Sequence, residues 1–265
     1  MKKFEVTEYL VETSKVKESS FEFVVISDLH SNVYGVDLSM VCEKISEISP
    51  DAILMAGDIF NGKKGDDYSG AMEFVKTLAS DYPVFFVLGN HEYRLAVNQE
   101  KYGPVIWDIM EQLEDAGVVV LSDDTIVLEK GDDRIALSGI EIDSVFYKRR
   151  PPVMGSGLIK MHLGDADTEI FNLLIAHNPR YFENYANWGA DLVLSGHVHG
   201  GTVILPGNKS LIGTDFRLFP KYSKGLYEEL GSRMIVSRGL GTHSIKVRIN
   251  NKPELQVVKI VAKMD

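Results

Sequence analysis

Short apolar runs alternate with segments of helical period through the first half of the chain. Residues 21–26, 52–56 and 84–88 are rich in β-branched and aromatic side chains and read as buried strands. Between them Leu38, Val41, Ile45 and Ile48 recur at helical spacing ahead of Pro50, and Ala71, Phe74, Val75 and Leu78 share one face of a second helix. Pro104 opens a third helix, lined by Ile106, Ile109, Met110 and Leu113 and stopped by Gly117. Residues 4–11 alternate loosely and predict an opening edge strand. After Gly117 the period changes. Residues 118–121, 125–129 and 134–140 read as short strands, with Gly131-Asp132-Asp133 as a hairpin turn. Residues 146–168 have no clear period. A strand at 171–176, a short helix around 181–185 and a strand at 192–194 follow. Segments 202–205, 234–236, 245–249 and 256–260 predict a strand-rich last third. No repeat, low-complexity stretch or linker interrupts the chain, so residues 1–265 are expected to form a single domain.

What ends the strands changes this picture from architecture to chemistry. The runs finish in Asp28 and His30, in Asp58, in Asn90 and His91, in His177, and in His197 and His199. The last pair lies in Gly196-His197-Val198-His199-Gly200-Gly201. In extended chain residues i and i+2 point the same way, so both imidazoles can face one point. In α/β sheets ligands bind outside the carboxyl ends of strands. Carboxylate, amide and imidazole together suit Mn, Fe, Zn, Co or Ni. Two aspartates, one asparagine amide and four histidines, with His91 left over, are too many for one tetrahedral ion. They suit two ions that share a carboxylate, and Asp58, directly after Gly57, is the better placed to be shared. No cysteine belongs to the set, which argues against a structural zinc.

Composition narrows the partners. The 28 basic and 38 acidic residues leave a net charge of −10, which disfavours nucleic acid and anionic membranes unless metal ions supply local positive charge. Cys42 is the only cysteine and is read as a small core residue on a helix; it excludes an internal disulfide and fits a reducing compartment. No apolar run approaches the ~20 residues of a membrane span. Glu5, Glu8 and Glu12 break up any signal peptide, so the expected location is the cytoplasm. His162 and His243 belong to no motif. Lys148-Arg149-Arg150 is read as a solvated loop face ahead of a phosphate grip. Phe216, Leu218, Phe219, Tyr222, Leu226 and Tyr227, among Arg217, Lys221 and Lys224, are read as loop side chains packed on the sheet ahead of a lipid-touching or substrate-covering lip. Trp107 and Trp188 are read as packing residues.

Asp28-Leu29-His30, Gly57-Asp58, Gly89-Asn90-His91-Glu92, Ala176-His177 and Gly196-His197-Val198-His199 resemble, in order, the five motifs of the calcineurin-like metallophosphoesterases. Ser237-Arg238-Gly239-Leu240-Gly241-Thr242, with Pro253-Glu254-Leu255, is similar to a bacterial branch of membrane-linked phosphodiesterases. Val198 and Thr202 stand where that branch often has Thr and Gln, and its N-terminal anchor has no counterpart here. The resemblance implies a four-layer α-β-β-α sandwich, two mixed β-sheets flanked by helices. It implies that Asp28, His30 and His199 hold one metal, that Asn90, His177 and His197 hold the other, and that Asp58 bridges. It implies in-line attack by a hydroxide bridging two divalent ions, manganese ahead of iron, zinc or nickel, on a small-molecule or lipid-linked phosphoester. Asn90 would steady the phosphoryl oxygens, and His91 would act near the leaving oxygen as acid or hydrogen-bond donor. A phosphodiesterase is expected ahead of a phosphomonoesterase, a nuclease or a non-catalytic scaffold.

Overall fold

The computed structural model describes residues 3–32, 36–201, 204–205, 209–210, 219–242 and 248–263. Thr202, Phe216, Arg217, Leu218, His243 and most of the strand expected at 245–249 lie outside the described residues. In chain order the strands are β1 (Glu5–Thr13), β2 (Ser20–Ile26), β3 (Ala52–Ala56), β4 (Val84–Val87), β5 (Val119–Val120), β6 (Asp124–Lys130), β7 (Asp133–Ile140), β8 (Phe171–Ala176), β9 (Leu192–Ser195), β10 (Ile204–Leu205), β11 (Lys209–Ser210), β12 (Gly225–Glu229), β13 (Ser232–Val236) and β14 (Glu254–Ala262). The helices are α1 (Leu38–Ile48), α2 (Ser69–Asp81), α3 (Asn90–Val97), α4 (Gln99–Tyr102), α5 (Val105–Asp115), α6 (Leu158–Leu163) and α7 (Phe182–Trp188).

Two mixed sheets carry the fold. One has the order β1-β14-β2-β3-β4-β5 and the other β12-β13-β9-β8-β7-β6, while β10 and β11 form a separate antiparallel pair. In the first sheet β2, β3, β4 and β5 run parallel, and β14 enters antiparallel to β2 and parallel to β1. In the second, β13, β9, β8 and β7 run parallel between antiparallel edges β12 and β6.

The two-residue side-chain period of a strand builds the layers. Phe23 and Val25 of β2, Leu54 of β3, Phe85 and Val87 of β4 face Leu173 and Ile175 of β8 and Leu192 and Leu194 of β9 in a core between the sheets. The alternate residues Val24, Ile26, Ile53, Met55 and Phe86 pack outward on Val41 and Ile45 of α1, Phe74 and Val75 of α2 and Ile109 and Leu113 of α5. Leu174 and Val193 pack the other way, on Ile159 of α6 and Phe182 and Tyr185 of α7. The result is the α-β-β-α sandwich. Cys42 lies on α1, as expected, but is half-buried at the edge of the core and not inside it. Trp107 is exposed, and Trp188 donates its indole N–H to the Gly164 carbonyl at 2.8 Å.

Three elements depart from the expected pattern. Helix α3 starts at the Asn90-His91 motif and buries His91, Glu92 and Leu95; its inner face is mostly polar, so no apolar stripe marks it. The aperiodic stretch 146–168 contains α6, whose six residues bury only Ile159. Strand β12 pairs with β13 at the edge of the second sheet and carries Glu228 and Glu229, which hid it. Among the described residues no helix is long and apolar enough to cross a membrane.

Candidate active site

The carboxyl ends of the two sheets meet along one seam. Past β2 and β3 the backbone pairing continues into the loops: Asp28 N–H donates to Gly57 O at 2.9 Å, His30 N–H to Asp58 O at 3.0 Å and Ser31 N–H to Ile59 O at 2.9 Å. From the second sheet, His197 N–H donates to the Asp28 carboxylate at 3.0 and 3.1 Å, and His177 Nδ1–H donates to the Ala56 carbonyl at 2.7 Å. These cross-sheet bonds lock the loops of one sheet onto those of the other.

Local backbone geometry is unusual here. Asp28, His30, Asp58, His197 and His199 all take positive φ, between 50° and 71°. Non-glycine residues adopt this left-handed region at a cost, which the surrounding structure must impose, and such residues gather at functional sites. Two glycines make the crowding sterically feasible. A Cβ on Gly57 (φ 83°) would stand 2.6 Å from His177 Nδ1, and one on Gly239 (φ 69°) would stand 2.6 Å from Asp28 Cβ.

Helix α3 supplies the next parts. Gly89, its N-cap, has no side chain to accept from the first turn, and Asp58 takes that role from another loop: His91 N–H donates to Asp58 Oδ1 at 2.8 Å. Glu92 reaches back to accept from Gly89 N–H at 3.0 Å, Asp58 N–H at 3.1 Å and Phe60 N–H at 2.8 Å. Its position three residues after the cap is a capping-box spacing, a signal the motif reading passed over. Burial, with Asp58 adding, pushes the Glu92 carboxyl up to about 8.

Seven of the eight expected residues converge, and the eighth, Asn90, directly precedes His91 at the start of α3. Asp28 Oδ1 lies 3.3 Å from His199 Nε2 and 3.9 Å from His177 Nε2; Asp58 Oδ2 lies 3.2 Å from His177 Nε2 and 3.9 Å from His30 Nε2. His30 Nε2 and His199 Nε2 are 3.0 Å apart. Three groups have ligand atoms close enough to hold an ion: Asp28, His30 and His199; Asp58, His177 and His197; and His30, Asp58 and His91. Asn90 Oδ1 is buried and has no hydrogen-bond partner among the described residues.

The donor set fits divalent cations. The Ala56 carbonyl can only accept, so it fixes the His177 proton on Nδ1 and leaves Nε2 as the lone-pair atom; that nitrogen is buried, has no hydrogen-bond partner among the described residues and faces Asp58. Burial alone would lower the His177 pKa, yet the Asp58 and Asp28 carboxylates outweigh it and push it up to about 10. Burial raises Asp28 to about 6, with the like charge of Asp58 adding; burial would raise Asp58 too, but His177, His91 and His30 hold it well below the usual carboxylate range. A buried anionic pit that draws protons onto imidazoles is the electrostatic setting in which a metal ion displaces those protons.

His91 presents the opposite tautomer. Gly62 N–H donates to His91 Nδ1 at 3.0 Å, so the ring proton sits on Nε2, the atom 4.0 Å from Asp58 Oδ2. The Asn61 amide, 3.1 Å from the same Nδ1, agrees with this tautomer when it presents its NH2 group. His91 therefore offers the site a donor where His177 offers a lone pair.

Outside the eight, Tyr147 sets its ring against His197, centroids 4.9 Å apart at 70°, and tilts over His177 at 6.2 Å. Arg248 Nη2 reaches His199 Nδ1 at 3.4 Å and donates to the Gly239 and Gly241 carbonyls; burial lowers its pKa to about 10. No sequence pattern pointed to either. The segment that resembles the phosphodiesterase branch is tied beneath Asp28: Gly241 N–H donates to Asp28 O at 2.8 Å, and Arg238 pairs with Glu254 at 3.0 Å and Glu5 at 3.1 Å. His162 is not part of the site and pairs with Asp123 at 2.6 Å. Lys148, Arg149 and Arg150 are exposed, as expected of a solvated loop face.

A two-sheet sandwich with carboxylates and imidazoles on its seam defines a metal-dependent phosphoesterase architecture, and comparison with known proteins agrees. The chain belongs to the calcineurin-like phosphoesterase family, whose model matches residues 21–201. It is 29% identical to an uncharacterized metallophosphoesterase of Aquifex aeolicus over 97% of this chain and 92% of the relative. It is 27% identical to phosphodiesterase YaeI of Escherichia coli over 97% of this chain and 88% of the relative. Among solved structures, the NAD nucleotidase of Haemophilus influenzae covers 84% of this chain at 14% identity, with a TM-score of 0.51. The sulfate thiohydrolase SoxB of Thermus thermophilus covers 90% at 12% identity, with a TM-score of 0.54. This chain spans 45% and 56% of those two structures, and the likeness concerns the fold.

Proposed function

We propose that the chain is a two-metal phosphoester hydrolase with a preference for phosphodiesters. The observation that carries this reading is the position of Asp58. One of its oxygens accepts from His91 N–H while the other faces His30 and His177, and it belongs to two candidate ligand groups where Asp28 belongs to one. Asp28, His30 and His199 would hold one divalent ion and Asn90, His177 and His197 the other, with Asp58 shared. Oxygen and imidazole donors without thiolate favour manganese, with iron, zinc and nickel behind it. Bound there, such ions would lower the pKa of a coordinated water and neutralise phosphoryl oxygens.

The remaining steps belong to the chain's own residues. The Asn90 amide stands at the N-terminus of α3, where its NH2 and the helix dipole both favour a phosphoryl oxygen. His91 Nε2–H donates to the departing ester oxygen, and its tautomer is set by Gly62. Similarity to phosphodiesterase YaeI supports a diester substrate, small or lipid-linked, and the acidic surface speaks against nucleic acid. The cytoplasm is the proposed location, on the strength of the single cysteine.

The test is metal content of the purified protein together with turnover under Mn2+. Two ions per chain and faster cleavage of bis-p-nitrophenyl phosphate than of p-nitrophenyl phosphate are expected. A strong preference for the monoester makes the protein a phosphatase. One ion or none, with no hydrolysis of either compound, overturns the reading.

A further inference from the structure

Tyr147 closes the 3-10 turn Ser144–Tyr147, and that turn is anchored from two sides of the site. Asp143 Oδ1 accepts from Val145 N–H at 2.8 Å, while Tyr93 of α3, two residues past His91, donates its hydroxyl to Asp143 Oδ2 at 3.4 Å. On the other side the Phe146 carbonyl accepts from the Tyr181 hydroxyl at 2.9 Å and from Asn178 Nδ2 at 3.3 Å, and Asn178 directly follows His177. The turn is therefore tied both to the helix that carries His91 and to the loop that carries His177. It delivers an aromatic ring edge-to-face onto His197.

Packing alone does not account for this arrangement. Tyr147 is only half-buried, and among the described residues its hydroxyl makes no hydrogen bond, although its neighbours Val145 and Phe146 are bonded to Asp143, Asn178 and Tyr181. A phenol is a neutral donor near pH 7, and this one stands beside a site whose substrate would be anionic. We propose that Tyr147 contacts the substrate: its ring walls the His177 and His197 side of the cleft, and its hydroxyl donates a hydrogen bond to an oxygen of the bound phosphoryl group. The assignment rests on the phosphoester reading above. It names which side of the site grips the phosphate and accepts an apolar or aromatic ester substituent.

The test uses the manganese-loaded protein and its Tyr147→Phe and Tyr147→Ala variants, with inorganic phosphate as the binding probe. Tyr147→Phe keeps the ring and should retain the wild-type metal content and melting temperature. It should bind phosphate more weakly by calorimetry and lose about 10- to 100-fold in kcat/KM, the rate equivalent of one hydrogen bond to a charged oxygen. Tyr147→Ala should add a rise in KM for bis-p-nitrophenyl phosphate that exceeds its rise for methyl p-nitrophenyl phosphate, because the wall is gone. Unchanged phosphate binding and turnover in Tyr147→Phe overturn the proposal. Loss of metal from that variant overturns it too, by making Tyr147 a support for His197. Failure of the underlying hydrolase reading is distinguishable, because it shows in the wild type before any variant is made.

Discussion

The two ends of the parallel strands treat aspartate in opposite ways. At the amino ends, Asp133 accepts the backbone N–H groups of Lys17, Glu18 and Ser19 at 2.7–2.9 Å, pinning the β1–β2 loop to the second sheet. Asp191 accepts from Asn172 N–H and Lys15 Nζ, each at 2.8 Å, and Asp51 from Glu22 N–H at 2.8 Å and Lys130 Nζ at 2.6 Å. At the carboxyl ends, Asp28 and Asp58 sit in a common pit among histidines, and among the described residues His177 Nε2 and Asn90 Oδ1 are buried there with no hydrogen-bond partner. Fully paired polar groups stabilise a fold. Groups left unpaired in a dry pocket cost stability and persist where a ligand completes them. The contrast separates the end that holds the sheets together from the end that does chemistry.

Removing the carboxylate proposed to be shared should break the comparison most severely. Asp58→Asn is expected to lose at least one metal per chain and at least about 100-fold in activity, since even outer partners of a metal site cost about 10- to 100-fold. In the wild type, chelation should lower the melting temperature and Mn2+ should restore it, by about 2.7 kcal/mol at a free metal concentration of 100 Kd. Two bound ions and normal turnover in Asp58→Asn would sink the bridging assignment.

His91 tests the donor side of the same pit. With its proton on Nε2, it should matter most when the departing oxygen is a basic alkoxide, where general acid catalysis is worth about 10²–10⁴-fold. His91→Ala should keep both metals and lose far more rate on alkyl esters than on nitrophenyl esters. Equal losses on both would favour charge stabilisation over proton donation, and loss of a metal would make His91 a ligand.

Most of this was legible in the sequence because the parallel strands are apolar runs that stop abruptly. A side chain that must stay dry on both faces of a strand leaves only the strand's end to carry polar chemistry, so Asp28, Asp58 and His177 announced themselves by position. What stayed hidden was tertiary. The stretch that places Tyr147 has no period, because its single 3-10 turn is too short to repeat and is held in place by side chains of Asp143, Asn178 and Tyr181. Helix α3 was masked by its own chemistry, since its buried face is His91 and Glu92 with Leu95 as the one apolar residue. Asp133, expected only as part of a hairpin turn, opens β7 and reaches a loop more than a hundred residues earlier, a contact that no local pattern encodes.

That aspartate carries the smallest of the expected effects, and the one that sharpens the contrast. Burial alone would raise the Asp133 carboxyl, but the three backbone N–H groups of Ser19, Glu18 and Lys17 outweigh it and hold the carboxyl below the usual range. A depressed folded-state pKa means that the unfolded chain takes up the proton first. The stabilisation is then complete above the unfolded pKa of about 3.9 and is lost as pH falls through the folded value. Asp133→Asn keeps the shape and one acceptor but gives up the charge-assisted bonds, and should cost about 1–2 kcal/mol in denaturant unfolding at pH 7. The gap between variant and wild type should narrow as pH drops below about 4, because the wild type then loses the same charge. Metal content and kcat/KM should stay at wild-type values throughout the neutral range, since the latch lies at the opposite end of the strands from the site. A gap that stays constant down to pH 3 would show that the carboxylate charge plays no part in the latch. A fall in metal content would show that the two ends are coupled.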